Sequence, residues 1–153
     1  MDTEFLNRQK HDFFRDISAF GSVWVYLIAV VFFLIAKEYA AAKKLIIGLI
    51  VIYCVIALIR FFYFKKRPVE IKYNSLIGKL DASSFPSMHA ARIIFISADL
   101  IANYKNPIFN VAMIIIASLV IYSRIKLKKH DVIDVLAGVF VGVCIFFIIN
   151  RNI

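Results

Sequence analysis

Apolar residues fill this chain in long runs, and short polar patches break the runs at intervals that suit helices. The first nineteen residues are mixed. Leu6, Phe13, Phe14, Ile17 and Phe20 recur at helical spacing among Arg8, Lys10, His11 and Arg15. That pattern predicts an amphipathic helix lying on a membrane surface. A first apolar run then covers about 20–36 and closes at a polar turn carrying Lys37, Glu38, Lys43 and Lys44. A second covers about 45–64 and ends in Lys65-Lys66-Arg67-Pro68, where proline stops the helix. Residues 69–85 read as a polar loop. A third run covers about 86–104, and Asn106-Pro107 forms a tight connection to a fourth over about 108–122. A basic loop, 124–129, leads to a fifth run over about 131–150.

These runs are near the ~20 residues that cross a bilayer, and snorkelling ends or local thinning accommodate the shorter ones. The expected fold is all-α: an integral membrane helical bundle of about five transmembrane helices. Residues 1–19 form its amphipathic N-terminal segment and 20–153 its transmembrane domain. No small-residue cleavage site follows the first run, so no removable signal peptide is expected.

Composition agrees. The 153 residues are 62% hydrophobic, with a mean hydropathy of +0.82. The net charge of +9 would suggest nucleic acid in a soluble protein. Here the cations flank membrane segments, so anionic headgroups are the expected partner and nucleic acid is not. Cys54 and Cys144 lie inside apolar runs and read as packing residues. The expected location is the cell membrane, as a multi-pass protein. No oligomeric state is assigned.

Five alternating spans would put Arg67, Pro86, Arg124 and His130 on one membrane face, with the N-terminus. Their chemistry belongs together. His130 and Asp134 stand at i and i+4, on one helical face. A carboxylate accepting from one ring nitrogen leaves the other nitrogen's lone pair free, which suits a nucleophile with its orienting group. His89 lies three residues after Pro86, near a helix start whose free N–H groups attract anions. Ser87 adds a hydroxyl, and His89 is placed to protonate a leaving oxygen. Arg60, Arg67 and Arg124 supply guanidinium groups, which pair bidentately with phosphate oxygens. The residues alone do not decide which histidine attacks. An anion or lipid transporter, or a non-catalytic lipid-binding protein, would use the arginines without needing His130 and Asp134 at this spacing.

The order Arg60-x6-Arg67-Pro68, Pro86-Ser87-Met88-His89, Ser123-Arg124-x5-His130-x3-Asp134 resembles the three-part signature of the type 2 phosphatidic acid phosphatase superfamily. That signature is Lys-x6-Arg-Pro, Pro-Ser-Gly-His, Ser-Arg-x5-His-x3-Asp. Arg60 stands where the family usually has Lys, and Met88 where it usually has Gly. The family commonly has six spans. The resemblance implies a membrane lipid phosphatase. In it His130 forms a phosphohistidine, Asp134 orients His130, and His89 is the general acid. Arg60, Arg67, Ser87 and Arg124 hold the phosphoryl oxygens, and no metal or cofactor takes part. The substrate it implies is a lipid phosphate or diphosphate, foremost a polyprenyl diphosphate. Phosphatidic acid and phosphatidylglycerol phosphate are the alternatives.

Three further features stand out. Gly138-x3-Gly142 reads as a close-packing face within the bundle. Asp99 lies inside the third run with Asn103 and Lys105 behind it, which places it near the far interface. Arg92 lies two turns from Asp99 on a similar face, near the expected site. The positive-inside rule puts the site face in the cytoplasm, whereas the resemblance favours the outer face for carrier recycling.

Overall fold

In a computed structural model that describes residues 3–69 and 72–152, the chain is a bundle of helices, with no strand among those residues. The helices are α1 (Thr3–Ala19), α2 (Val23–Ile35), α3 (Tyr39–Phe62), α4 (Leu76–Ala82), α5 (Met88–Asn103), α6 (Pro107–Lys126) and α7 (Val132–Asn152). The start of the amphipathic segment and residues 70–71 of the expected loop lie outside the described residues.

Local sequence fixes the helix starts. The Ser22 hydroxyl accepts from Val25 N at 3.3 Å and opens α2. Asn106 accepts from Ile108 N and Phe109 N at 3.0 and 3.1 Å and opens α6, with Pro107 in the first turn. Ser75 accepts from Gly78 N at 3.0 Å and starts α4. That short helix replaces part of the loop expected over 69–85. Its signal is one serine cap and seven residues, too little for periodicity to register.

Among the described residues, α3, α6 and α7 are individually long and apolar enough to cross a membrane. Helices α1 and α2 would make a fourth span only as a pair, and they are bent by 41° at residues 20–22. The run expected over 20–36 is therefore a 13-residue helix joined to α1 by an elbow. The third expected span is α5, which has 16 residues and buries Arg92, Ser97 and Asp99. Its neighbours explain it. Helix α5 packs against α2, α3, α6 and α7, and none of its large apolar side chains is exposed. A helix shielded by protein can carry charges that a lipid-facing helix cannot. The outer helices turn apolar residues outward instead, such as Trp24, Leu58, Ile114 and Phe140.

Helix α7 lies closest to α5. A Cβ on Gly142 would meet Ala91 O at 2.6 Å, and one on Gly138 would collide with Ser87 O. Both glycines thus let two backbones touch. At the end of the bundle away from the signature residues, buried Asp99 accepts from Asn103 Nδ2 at 3.2 Å and Asn150 Nδ2 at 3.5 Å. Lys44 donates to Asn150 at 2.7 Å. This cluster ties α3, α5 and α7 together. Cys54 and Cys144 are free thiols.

Candidate active site

A cavity of about 630 Å³ opens among the ends of α1, α3, α5 and α6 and the segment before α7. Arg60, Arg67, His89, Arg124 and His130 all line it, so residues spread over seventy positions converge on one space. Ser87 and Asp134 do not line it. Both are fully buried, and Ser87 N donates to Asp134 O at 2.8 Å. Among the described residues, no group of three or more His, Cys, Asp or Glu side chains is placed to hold a metal ion.

His130 stands just before α7 and is 3% exposed. Its Nδ1 lies 2.8 Å from Ser84 O. A carbonyl only accepts, so Nδ1 carries the proton and Nε2 keeps its lone pair. Burial, then the positive charge of Arg124 and Arg67, lowers the imidazole pKa to about 3. The free ring is therefore neutral and nucleophilic across the physiological range.

The expected hydrogen bond from His130 to Asp134 is not made. Asp134 Oδ2 is 3.9 Å from His130 Nδ1. The carboxylate is occupied elsewhere: Oδ1 accepts from Lys65 Nζ at 2.7 Å and Oδ2 from Asp131 N at 2.9 Å. Lys65 also reaches Asp131 Oδ2 at 3.1 Å. The i, i+4 spacing put His130 and Asp134 on one face, but a carbonyl from another segment came closer to the ring. Lys65, which sequence alone reads as an ordinary interfacial charge, is the counter-ion of the buried carboxylate. Its hydrogen bond to Asp134 raises the lysine pKa above its ordinary value.

Lys65→Met is expected to destabilise the protein, because Asp134 stays buried without its cation. The loss should fall short of the ~3–5 kcal/mol typical of a fully buried pair, since the Lys65 side chain is 25% exposed. Lys65→Arg should recover most of it in a thermal melt. A raised lysine pKa means the pair's contribution is complete below the ordinary lysine range and lost as pH rises through the folded value. The gap between wild type and Lys65→Met should therefore narrow only in strong base.

The phosphate-binding candidates share one property. Buried side-chain nitrogen and oxygen atoms without a hydrogen-bond partner include Arg60 Nε, Arg67 Nε, Arg124 Nε and Ser87 Oγ, with Ser97 Oγ the one other among the described residues. Native structures rarely leave such groups unpaired without a functional reason. Each guanidinium is also tied to protein through at least one terminal nitrogen. Arg60 donates to Leu80 O and Pro86 O, each at 2.9 Å. Arg67 donates to Asp81 O, and Arg124 donates to Ser18 Oγ at 2.6 Å. Arg60 is thus no free bidentate fork: each terminal nitrogen spends one N–H on the α4–α5 segment, and Nε has no partner. Burial lowers the pKa of Arg67 against the pull of Asp81 and Asp134, and burial with the positive charge of Arg124 and Arg67 lowers that of Lys129.

His89 faces the cavity from the first turn of α5, and its Nδ1 lies 3.3 Å from Arg92 Nη2. Arg92 also lines the cavity. Its signal in the sequence was its place one turn after His89. Ser18 and the Ser84 carbonyl left no such signal.

Comparisons with known proteins place this geometry. A family model described as "PAP2 superfamily" matches residues 41–153. The structure is similar to the crystal structure of Aquifex aeolicus LpxE, with a TM-score of 0.79 and 22% identity over 94% of this chain and 87% of that one. It is also similar to the first transmembrane PAP2 type phosphatidylglycerolphosphate phosphatase from Bacillus subtilis, with a TM-score of 0.66 and 20% identity over 94% of this chain and 76% of that one. No curated protein matches the chain significantly.

Proposed function

This chain belongs to the PAP2 superfamily, and from that premise we propose that it hydrolyses a lipid diphosphate through a phosphohistidine on His130, without a metal. His130 Nε2 attacks phosphorus, and the bond from phosphorus to the leaving oxygen breaks. His89 gives that oxygen a proton. Water then attacks the phosphohistidine, His89 takes the proton released, and phosphate leaves. Arg60, Arg67, Ser87 and Arg124 hold the phosphoryl oxygens, whose charge spreads outward in the transition state. Asp134 supports the site through Lys65 and the backbone of Ser87 and Asp131, rather than by gripping the His130 ring.

The observation that carries this reading is the set of orphan donors. Of the five buried partnerless side-chain atoms among the described residues, four belong to the residues assigned to phosphate. A phosphoryl group offers acceptors for the three arginines, which line the cavity, while Ser87 lies just behind its wall.

A diphosphate is favoured by the charge around the cavity. Arg15, Arg60, Arg67, Arg92, Arg124 and Lys129 face it, against the single carboxylate of Asp81. Such an excess suits a headgroup with more negative charge than one phosphate. Polyprenyl diphosphate is the substrate we assign, in the cell membrane. The printed name of the Bacillus subtilis neighbour makes phosphatidylglycerol phosphate the second choice.

The test is a phosphate-release screen with purified protein in mixed micelles and excess chelator. The panel is polyprenyl diphosphate, polyprenyl monophosphate, phosphatidic acid and phosphatidylglycerol phosphate. Release should be fastest from polyprenyl diphosphate and unaffected by chelator. Faster release from phosphatidylglycerol phosphate would replace the substrate assignment, loss of release with chelator would refute metal independence, and no release from any lipid would refute the enzyme reading.

A further inference from the structure

Arg92 is buried in the second turn of α5, 4% exposed, and among the described residues makes no salt bridge to a carboxylate. A charge in that position is costly, and an apolar side chain would fill the space at less expense. Its hydrogen bonds all go to neutral acceptors. Nε donates to Gly21 O at 3.1 Å, Nη2 to Gly21 O at 2.9 Å, and Nη1 to the Tyr53 hydroxyl at 2.8 Å. The remaining contact is from Nη2 to His89 Nδ1 at 3.3 Å.

That last contact has a directional consequence. A guanidinium has five N–H donors and no acceptor. An imidazole nitrogen facing it must therefore be the acceptor, so a neutral His89 ring carries its proton on Nε2. The geometry points to Arg92 as the positioning residue that holds neutral His89 in the Nε2–H tautomer at the cavity, with the α1–α2 elbow as its anchor; passing that proton to the leaving oxygen leaves an imidazolate whose charge the facing guanidinium offsets. His130 is held the opposite way, with Nδ1–H on a carbonyl and Nε2 bare. Two chemically identical side chains thus receive different roles from their partners: a guanidinium makes one a donor toward substrate, and a carbonyl makes the other a nucleophile.

The elbow is built for this. Gly21 O takes two of the Arg92 donors, and Gly21 packs against His89 itself: a Cβ there would meet Val120 Cγ1 at 2.8 Å and the His89 ring at 3.2 Å. The break between α1 and α2 is therefore a working part of the site. Arg92 Nη2 divides between the elbow and the histidine, so moving the elbow moves the ring.

This assignment rests on the phosphatase reading for its kinetic test but not for its spectroscopic one. The protein has three histidines, at 11, 89 and 130. In full-length His11→Gln/His130→Gln protein labelled with 15N-histidine, nitrogen shifts and two-bond couplings report the His89 tautomer directly. The expected result is Nε2–H with Arg92 present, Nε2–H retained in Arg92→Lys, and a mixture in Arg92→Met. An Nδ1–H ring with Arg92 intact overturns the proposal, and that arm needs neither activity nor an Arg92 variant that folds.

In the otherwise wild-type enzyme, Arg92→Met should slow release from a lipid alkyl phosphate by roughly 10²-fold in kcat, at the lower end of a general-acid contribution. It should change little with p-nitrophenyl phosphate, whose leaving group departs unprotonated. Arg92→Lys should restore part of the alkyl rate. Equal losses on both substrates would overturn the proposal while leaving the phosphatase intact. No release by wild type would instead refute the phosphatase reading, with the His89 tautomer still decided by the nitrogen spectra.

Discussion

His130→Ala is expected to lower turnover of the preferred lipid by roughly 10⁴–10⁶, the range seen when an enzyme loses its nucleophile. Three features single out this imidazole. Its Nδ1 is tied to Ser84 O, which leaves Nε2 as the free base. It lines the cavity and is nonetheless almost wholly buried, so competing water is largely excluded. Its pKa of about 3 keeps it neutral wherever the protein is assayed. The fold should survive the change. The ring gives up one hydrogen bond to a carbonyl, worth ~1 kcal/mol, and relief of its buried position in a positive field offsets part of that. Melting temperature measured beside turnover separates the two effects. A collapse of both together would mean His130 is structural.

Gly138→Leu should damage both stability and activity. Gly138 lets α7 touch α5 where a Cβ would strike Ser87 O and approach Ala90 Cβ to 3.0 Å. Leucine is the better helix former by about 1 kcal/mol. Overpacking costs ~1–3 kcal/mol, and here the obstruction is backbone, which yields less than a side chain. The collision therefore wins, and α7 must move away from α5. Ser87 stands two residues before His89, and α7 begins two residues after His130. Shifting one helix against the other parts the two imidazoles, and a 1 Å misplacement can cost ~10² in rate. Leu136→Ala, on the outward face of the same helix at 62% exposed, is the control and should leave the rate unchanged. A fully active, fully stable Gly138→Leu protein would mean that the α5–α7 approach does not set the site.

Much of this arrangement was legible before any coordinates. Long apolar runs gave α3, α6 and α7 to within about six residues at either end, because each faces lipid and obeys a simple hydropathy rule. The signature residues brought Arg60, Arg67, His89, Arg124 and His130 to one cavity, since helix alternation leaves few other options. The failures share a cause. Lys65 pairs with Asp134 across sixty-nine positions, and no local spacing announces such a contact. The i, i+4 rule placed His130 beside Asp134 but could not foresee the carbonyl of Ser84, forty-six residues earlier, taking the ring nitrogen. Hydropathy marked α5 but gave no sign that its charges are surrounded by protein rather than lipid. Arg92 carried the faintest useful hint, one turn from a histidine on a helix too polar for lipid.

One measurement bears most directly on the claim that the cavity passes a phosphoryl group through His130. His89→Ala enzyme is mixed with p-nitrophenyl phosphate, whose leaving group needs no proton, and the reaction is quenched in alkali to preserve a phosphorus–nitrogen bond. Peptide mass spectrometry then locates the phosphate. The predicted result is phosphate on His130, accumulating because the water step lacks its base, and absent from the His89→Ala/His130→Ala protein. Steady turnover by wild type with no phosphate on His130 at any quench time, or with phosphate on another residue, would contradict it.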